Sequence, residues 1–229
     1  MSHETAADLP ALFRDGDVYI VRLGDGENRF NPERNRALVD ALTEVAAAPR
    51  PRALVTMAEG KFWSNGLDLD WMGAHQDQAQ EALDQFHSLL AAFLEVGVPT
   101  VAAVQGHAFA AGAMLASAHD LTVMRADRGF WCVPEADLGM VFTPGMAALL
   151  QARLPHRTAH VAMTTARRYG GNEALVAGIV DEVVGESEVL ATAVLRAQEL
   201  ATKDPATLAG IKRRMYGPVL TALRAPQTL

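Results

Sequence analysis

One cysteine, Cys132, stands in 229 residues. The chain can therefore close no intrachain disulfide, which fits a reducing compartment, and it has no CxxC pair for a metal or redox centre. Its seven histidines include no HExxH, so a metal site is not expected. No GxGxxG follows a strand, which leaves a dinucleotide cofactor without its fingerprint. No apolar run is long enough to span a bilayer. The first residues, MSHETAADLPALFRD, hold no basic segment leading into an apolar core. The last, APQTL, do not spell the peroxisomal tripeptide. These absences predict a soluble, unexported, cytoplasmic protein with no membrane partner. Basic residues are also few: 20 Lys and Arg face 27 Asp and Glu, for a net charge of -7. That balance argues against nucleic acid as a partner, because phosphate binding draws on clustered cations.

What is present is ordinary for a folded domain, with half the residues hydrophobic and about a fifth charged. The length suits one large α/β domain or a core with a helical appendage. The most informative stretch is VPTVAAVQGHAFAAGAMLASAHDLTVM, residues 98–124. The apolar run 99–104 predicts a buried strand, Gly106 breaks it, and the small residues 108–118 predict a helix. The first turn of such a helix has unpaired N–H groups and partial positive charge, so it can hold a developing oxyanion. Ala110, Ala111, Gly112 and Ala113 are small enough for a ligand to approach the backbone itself.

Taken in order, residues 17–23 alternate as a strand and end at the turn GDGEN. A helix follows, with Asn31 as N-cap, Pro32 at its first position and a stop at Pro49. Residues 53–57 predict a second strand, and the loop EGKFWSNGLDLDWM comes directly after it. Asn65 and Gly66 mark a sharp turn there, Asp68 caps a short helix running to Met72, and the N–H of Leu67 sits at the bend as a second candidate donor. Leu83, Phe86, Leu89, Leu90, Phe93 and Leu94 give residues 78–96 a helical period. Strands alternating with helices imply parallel pairing. After the strand 121–124, residues 125–145 carry two prolines and three glycines and read as a functional loop with short extended pieces. Helices at 146–154 and 157–164, a short helix ending near Gly178, a strand to Val184, and helices at 188–202 and 205–223 complete the chain. A boundary near Gly170 separates an active-site core, 1–170, from a mainly helical region, 171–229, suited to oligomerisation.

These segments resemble the crotonase superfamily of enoyl-CoA hydratases and isomerases over nearly the whole chain. KFWSNGLDL is similar to its first oxyanion loop, QGHAFAAGAM to its second, AHDLTVM to the strand that follows and VPEADLGM to its acidic segment. NRFNP, KFWSNG and GHAFAAG bring the likeness nearest to monofunctional Δ3,Δ2-enoyl-CoA isomerases of the plant type. The resemblance implies an α/β spiral of βαβ units with a helical C-terminal region. It also implies a homotrimer or dimer of trimers, an acyl-CoA thioester as substrate and no cofactor beyond the coenzyme A which that substrate carries. It places the oxyanion donors at the N–H groups of Leu67 and Ala111, and substrate contacts at Asn65, Gly66, Gly112, Met114 and His107. His107 either touches substrate or packs at the turn.

In hydratases of this family two glutamates serve, and the matching positions here are Met114 and Glu135. Hydration needs groups to activate water and to deliver a proton, and methionine does neither. A double-bond shift from the 3 to the 2 position needs one base. Glu135 is therefore the candidate catalytic residue, with Asp137 as fallback. Its pKa should be raised by apolar neighbours such as Phe130, Trp131, Val133 or Met140. The expectation is an isomerase of fatty-acid β-oxidation; the alternatives are a hydratase, a thioester hydrolase or a non-catalytic acyl-CoA binding protein.

Overall fold

The computed structural model describes residues 9–226. The N-terminal and C-terminal sequences on which the export and peroxisomal expectations rest lie partly outside those residues. β1 (Ala11–Asp15) and β2 (Val18–Arg22) form an antiparallel hairpin. From β2 the sheet continues in parallel through β3 (Ala53–Met57), β5 (Thr100–Val104), β7 (Leu121–Arg125) and β9 (Glu182–Val184), in the order β1-β2-β3-β5-β7-β9. Every step moves one place in the same direction. The intervening strands β4 (Phe62–Ser64), β6 (His107–Phe109) and β8 (Trp131–Cys132) make a second, three-stranded parallel sheet. Successive turns of the chain thus give one strand to each sheet, which is a spiral.

Alternation along the main strands divides their side chains between two cores. Tyr19, Val21, Leu54, Ala102, Val104 and Met124 face the larger one. It is covered by α1 (Pro32–Ala47), α3 (Ala79–Glu95) and α4 (Ala111–Ala118). Val18, Ala53, Val55, Val101, Ala103 and Val123 face the other, where Val189, Ala193, Ala197 and Ala201 form the stripe of α9 (Val189–Leu200). α10 (Pro205–Arg224) lies against α3 and against α6 (Pro144–Arg153). Its Lys212, 3% exposed, donates to Asp120 Oδ2 at 2.7 Å and to Val98 O at 3.2 Å.

Helix starts follow the expected capping chemistry. Asn31 accepts from Arg34 N ahead of Pro32, and Asp68 accepts from Trp71 N at the head of α2 (Leu69–Ala74). α7 (His156–Thr165) and α8 (Gly171–Val176) occupy their expected places. Three features differ from expectation. β1 carries no alternation to reveal it, since its burial fades from half-buried Ala11 to exposed Asp15. The helix expected over 108–118 begins at Ala111, because Ala108 and Phe109 pair in β6. The loop 125–145 holds β8, a short extended piece as expected, but also the single turn α5 (Glu135–Leu138), which was not expected.

Candidate active site

The three strands of the small sheet are parallel, so their C-terminal ends lie along one edge. Each leads directly into one predicted site segment: β4 into the Leu67 turn, β6 into Ala110 and Ala111, and β8 into Glu135. The carboxyl edge of a parallel sheet is a recurrent ligand position.

The Leu67 turn is held from below by Phe30. Phe30 N donates to Gly66 O at 2.8 Å, and Asp68 N donates to Phe30 O at 2.9 Å. In such a parallel bridge the intervening residue points its own N–H to the opposite side, so that of Leu67 faces away from Phe30. Asn65 N is occupied, donating to Glu27 O at 2.8 Å. Gly66, at φ +96°, lies against the second turn: a Cβ there would meet Ala110 Cβ at 2.9 Å and Ala111 N at 3.5 Å. The fold therefore brings the Leu67 and Ala111 segments into direct contact.

Ala111 opens α4, and its N–H has no intrahelical acceptor. Ala110 before it is held at φ 49°, ψ -121°. An L-residue there stores of order 1–3 kcal/mol of strain. Ala110 N donates to Cys132 O at 2.9 Å, and Ala110 O accepts from Met114 N, so both ends of the strained peptide are pinned. Gly112 packs on β4, where a Cβ would come within 2.6 Å of Ser64 O. Met114 is fully buried in the main core. Nothing polar stands at that position.

Glu135, 7% exposed, is the one buried acidic side chain among the described residues. Its Oε2 has no hydrogen-bond partner. Desolvation lifts its pKa from 4.5 to about 7. Of the neighbours expected to desolvate it, Trp131 and Val133 are buried, but Phe130 and Met140 are exposed. Asp137 is also exposed.

His107 is half-buried in the small sheet among the rings of Phe62, Phe109 and Phe130, with centroids 4.8–5.6 Å away. Its Nδ1 has no partner, and its pKa is lowered by burial and by Lys61, Arg168 and Arg128. Arg29 pairs with Glu27 at 2.5 Å and Asp70 at 2.6 Å. Ser117, His119 and Asp120 have the residue types of a hydrolase triad but bond apart. Ser117 Oγ donates to Ala113 O, His119 bonds Leu115 O and Thr56 Oγ1, and Asp120 accepts from Thr100 and Lys212. Among the described residues no three His, Cys, Asp or Glu side chains are grouped to hold a metal ion, and no helix is long and apolar enough to cross a membrane.

Two features were not anticipated. An open cleft of about 500 Å³ lies at the C-terminal ends of β3 and β5, lined by Glu59, Lys61, Gln105, Arg125 and Arg128 and by none of the predicted site residues. Arg125 there is committed to Asp127, at 2.7 Å, and to Glu186. His87 on α3 is 1% exposed. Its sequence signal was available, since 83, 87, 90 and 94 follow one buried helix stripe and His87 alone among them is polar.

The family profile for enoyl-CoA hydratase/isomerase matches residues 15–227. Enoyl-CoA delta isomerase 2, peroxisomal, of Arabidopsis thaliana is 34% identical, with 90% of this chain and 91% of that protein covered. A carnitinyl-CoA dehydratase of Escherichia coli is 37% identical over 88% of this chain and 77% of its own. A solved structure of a probable enoyl-CoA hydratase from Mycobacterium tuberculosis superposes with a TM-score of 0.88 at 28% identity, covering 96% of this chain and 93% of that one. With the spiral, the paired turns and these relatives together, the chain belongs to the enoyl-CoA hydratase/isomerase family and has the crotonase fold.

Proposed function

We propose that the protein is a Δ3,Δ2-enoyl-CoA isomerase of fatty-acid β-oxidation that works without a cofactor. The observation that carries the reading is Glu135 as the one buried carboxyl among the described residues, while Met114 fills the other family position with hydrocarbon. The thioester oxygen of a 3-enoyl-CoA accepts from Leu67 N–H and Ala111 N–H. Glu135, ionised, removes a proton from C2. The electron pair moves into a dienolate whose charge rests on that oxygen. The carboxylic acid so formed returns the proton at C4, leaving the double bond between C2 and C3. A carboxyl with a pKa near 7 suits a group that must be base and then acid in one turnover. Each oxyanion donor contributes about a hundredfold to a thousandfold in rate, and apolar Met114 keeps water from the dienolate.

Similarity to a carnitinyl-CoA dehydratase favours a second reading, addition or removal of water. Met114 counts against it, because one carboxyl is left to do the work of two. A coupled assay with 3-hexenoyl-CoA beside crotonyl-CoA hydration separates them. Isomerisation alone is expected, rising with pH to a plateau through an inflection near 7. Glu135→Gln should lower it by about a hundredfold to ten-thousandfold while acyl-CoA still binds. Near-native turnover in that variant excludes Glu135 as the base. The same proposal carries a cytoplasmic homotrimer or dimer of trimers, for which light scattering and fractionation are the checks.

A further inference from the structure

The proposed proton transfer leaves His87 unused. Its Nε2 is 3.0 Å from Thr143 Oγ1, the hydroxyl that caps α6 by accepting from Met146 N. Its Nδ1 is buried and has no partner. The residues next to this pair, rather than the ring itself, reach both halves of the site. Phe86, the preceding residue, packs on Phe30 with ring centroids 5.0 Å apart, and Phe30 carries the Leu67 turn. Thr143 ends the segment that leaves α5, where Met140 N donates to the carbonyl of Glu135. A buried polar nitrogen is rarely left unpaired, so this one calls for a partner from outside the chain.

We propose that His87 and Thr143 form a polar contact for the acyl group, reading a hydroxyl carried on the chain of the thioester. The inference rests on the acyl-CoA reading of the Glu135 site. Burial holds the ring neutral, opposed by Asp84 on the same helix, so one ring nitrogen donates and the other accepts. If Thr143 donates to Nε2, then Nδ1 carries the proton and acts as donor. If Nε2–H donates to Thr143, then Nδ1 accepts. A hydroxyl satisfies either arrangement, whereas a carbonyl or ether satisfies only the first.

Calorimetry with saturated thioesters, which the isomerase step cannot consume, is the test. Butanoyl-, hexanoyl-, octanoyl- and decanoyl-CoA are compared with their terminal-hydroxy counterparts. One hydroxy member is expected to bind about tenfold tighter than its parent, the worth of one added neutral hydrogen bond. His87→Leu should erase that preference and leave affinity for the parents within about twofold, while His87→Asn keeps part of it. Should either variant fail to fold, the ¹⁵N resonance of Nδ1 in the native protein reads the same contact, and the preferred hydroxy ligand should shift it where its parent does not. Equal affinities along the whole series, with an unmoved Nδ1 resonance, overturn the inference and leave a structural water as the partner. Failure of every acyl-CoA to bind overturns the acyl-CoA reading and this inference with it.

Discussion

Ionising Glu135 works against the fold, and the conflict can be measured. The carboxyl titrates near 4.5 in an unstructured chain and near 7 in the fold, where desolvation outweighs a backbone hydrogen bond. Between those values the native state keeps a proton that the unfolded state has released. The stabilisation is therefore complete below about pH 4.5 and is lost as pH rises through about 7. A shift of this size corresponds to about 3 kcal/mol at full ionisation, most of it accumulated between pH 5 and 8. Glu135→Gln cannot ionise. Its buried amide brings a cost of its own, but that cost is constant with pH. Urea unfolding of both ligand-free proteins at pH 5 and pH 8 isolates the term, because the remaining titrating groups are shared and cancel in the difference. Relative to the variant, the native protein should lose roughly 2–3 kcal/mol on going to pH 8. Parallel stability profiles would falsify the claim that Glu135 is desolvated, and with it the physical basis for a base tuned near neutrality.

Gly112→Ala would set a Cβ 2.6 Å from Ser64 O and 2.8 Å from Ser64 Cβ, neither of which can swing aside. The head of α4 must shift, so isomerase turnover should drop at least about a hundredfold and urea stability by roughly 1–3 kcal/mol; retained turnover would show that the helix start need not sit against β4. Ala110→Gly relieves the positive φ of 49° and should raise stability by about 1 kcal/mol with kcat preserved; a lower melting temperature would argue against strain at this peptide. His119, fully buried, has its pKa lowered from 6.5 to about 3 mainly by desolvation. Its neutral form stabilises the fold above about pH 6.5, and that support is lost as pH falls towards 3. Circular dichroism should therefore find the acid transition of His119→Gln displaced to lower pH, and an unmoved transition counts against the assignment.

In the main sheet β2, β3, β5 and β7 were legible because each is a run of buried or alternating apolar residues, which sets the local period, whereas β1 has no such run. α1 was legible at its first turn, where Asn31 and Pro32 act by chemistry that does not depend on the rest of the chain. The small sheet was hidden for the opposite reason. β4 has three residues and β8 two, too few to show any period, and they are strands only through partners far away in sequence. β6 was absorbed into a helix prediction because Ala108 and Phe109 look like the small, apolar residues that follow. The desolvation of Glu135 was anticipated. Of the neighbours named for it, Trp131 and Val133 are buried, whereas Phe130 and Met140, each five residues away, are exposed, because nearness in sequence does not fix how a loop side chain packs.

That hidden sheet explains how the site is put together. The two candidate donors and the candidate base lie in three segments separated by long helical excursions, and no local rule could bring them to one edge of a sheet. The parallel strands β4, β6 and β8 do so by register: Phe62 pairs with His107, and Ala108 with Trp131, so the chain leaves all three at the same edge. Close packing then refines the placement, with Gly66 against Ala110 and Gly112 against Ser64. The unfavourable terms gather at that edge as well, in the positive φ of Ala110 and the unpartnered Oε2 of Glu135. Neither would be chosen for stability, since glycine removes the first and a hydrocarbon side chain the second. A protein that only bound acyl-CoA would need a donor turn but no carboxyl held out of water, and the coincidence of both at one edge is the physical reason for reading a proton-transfer site.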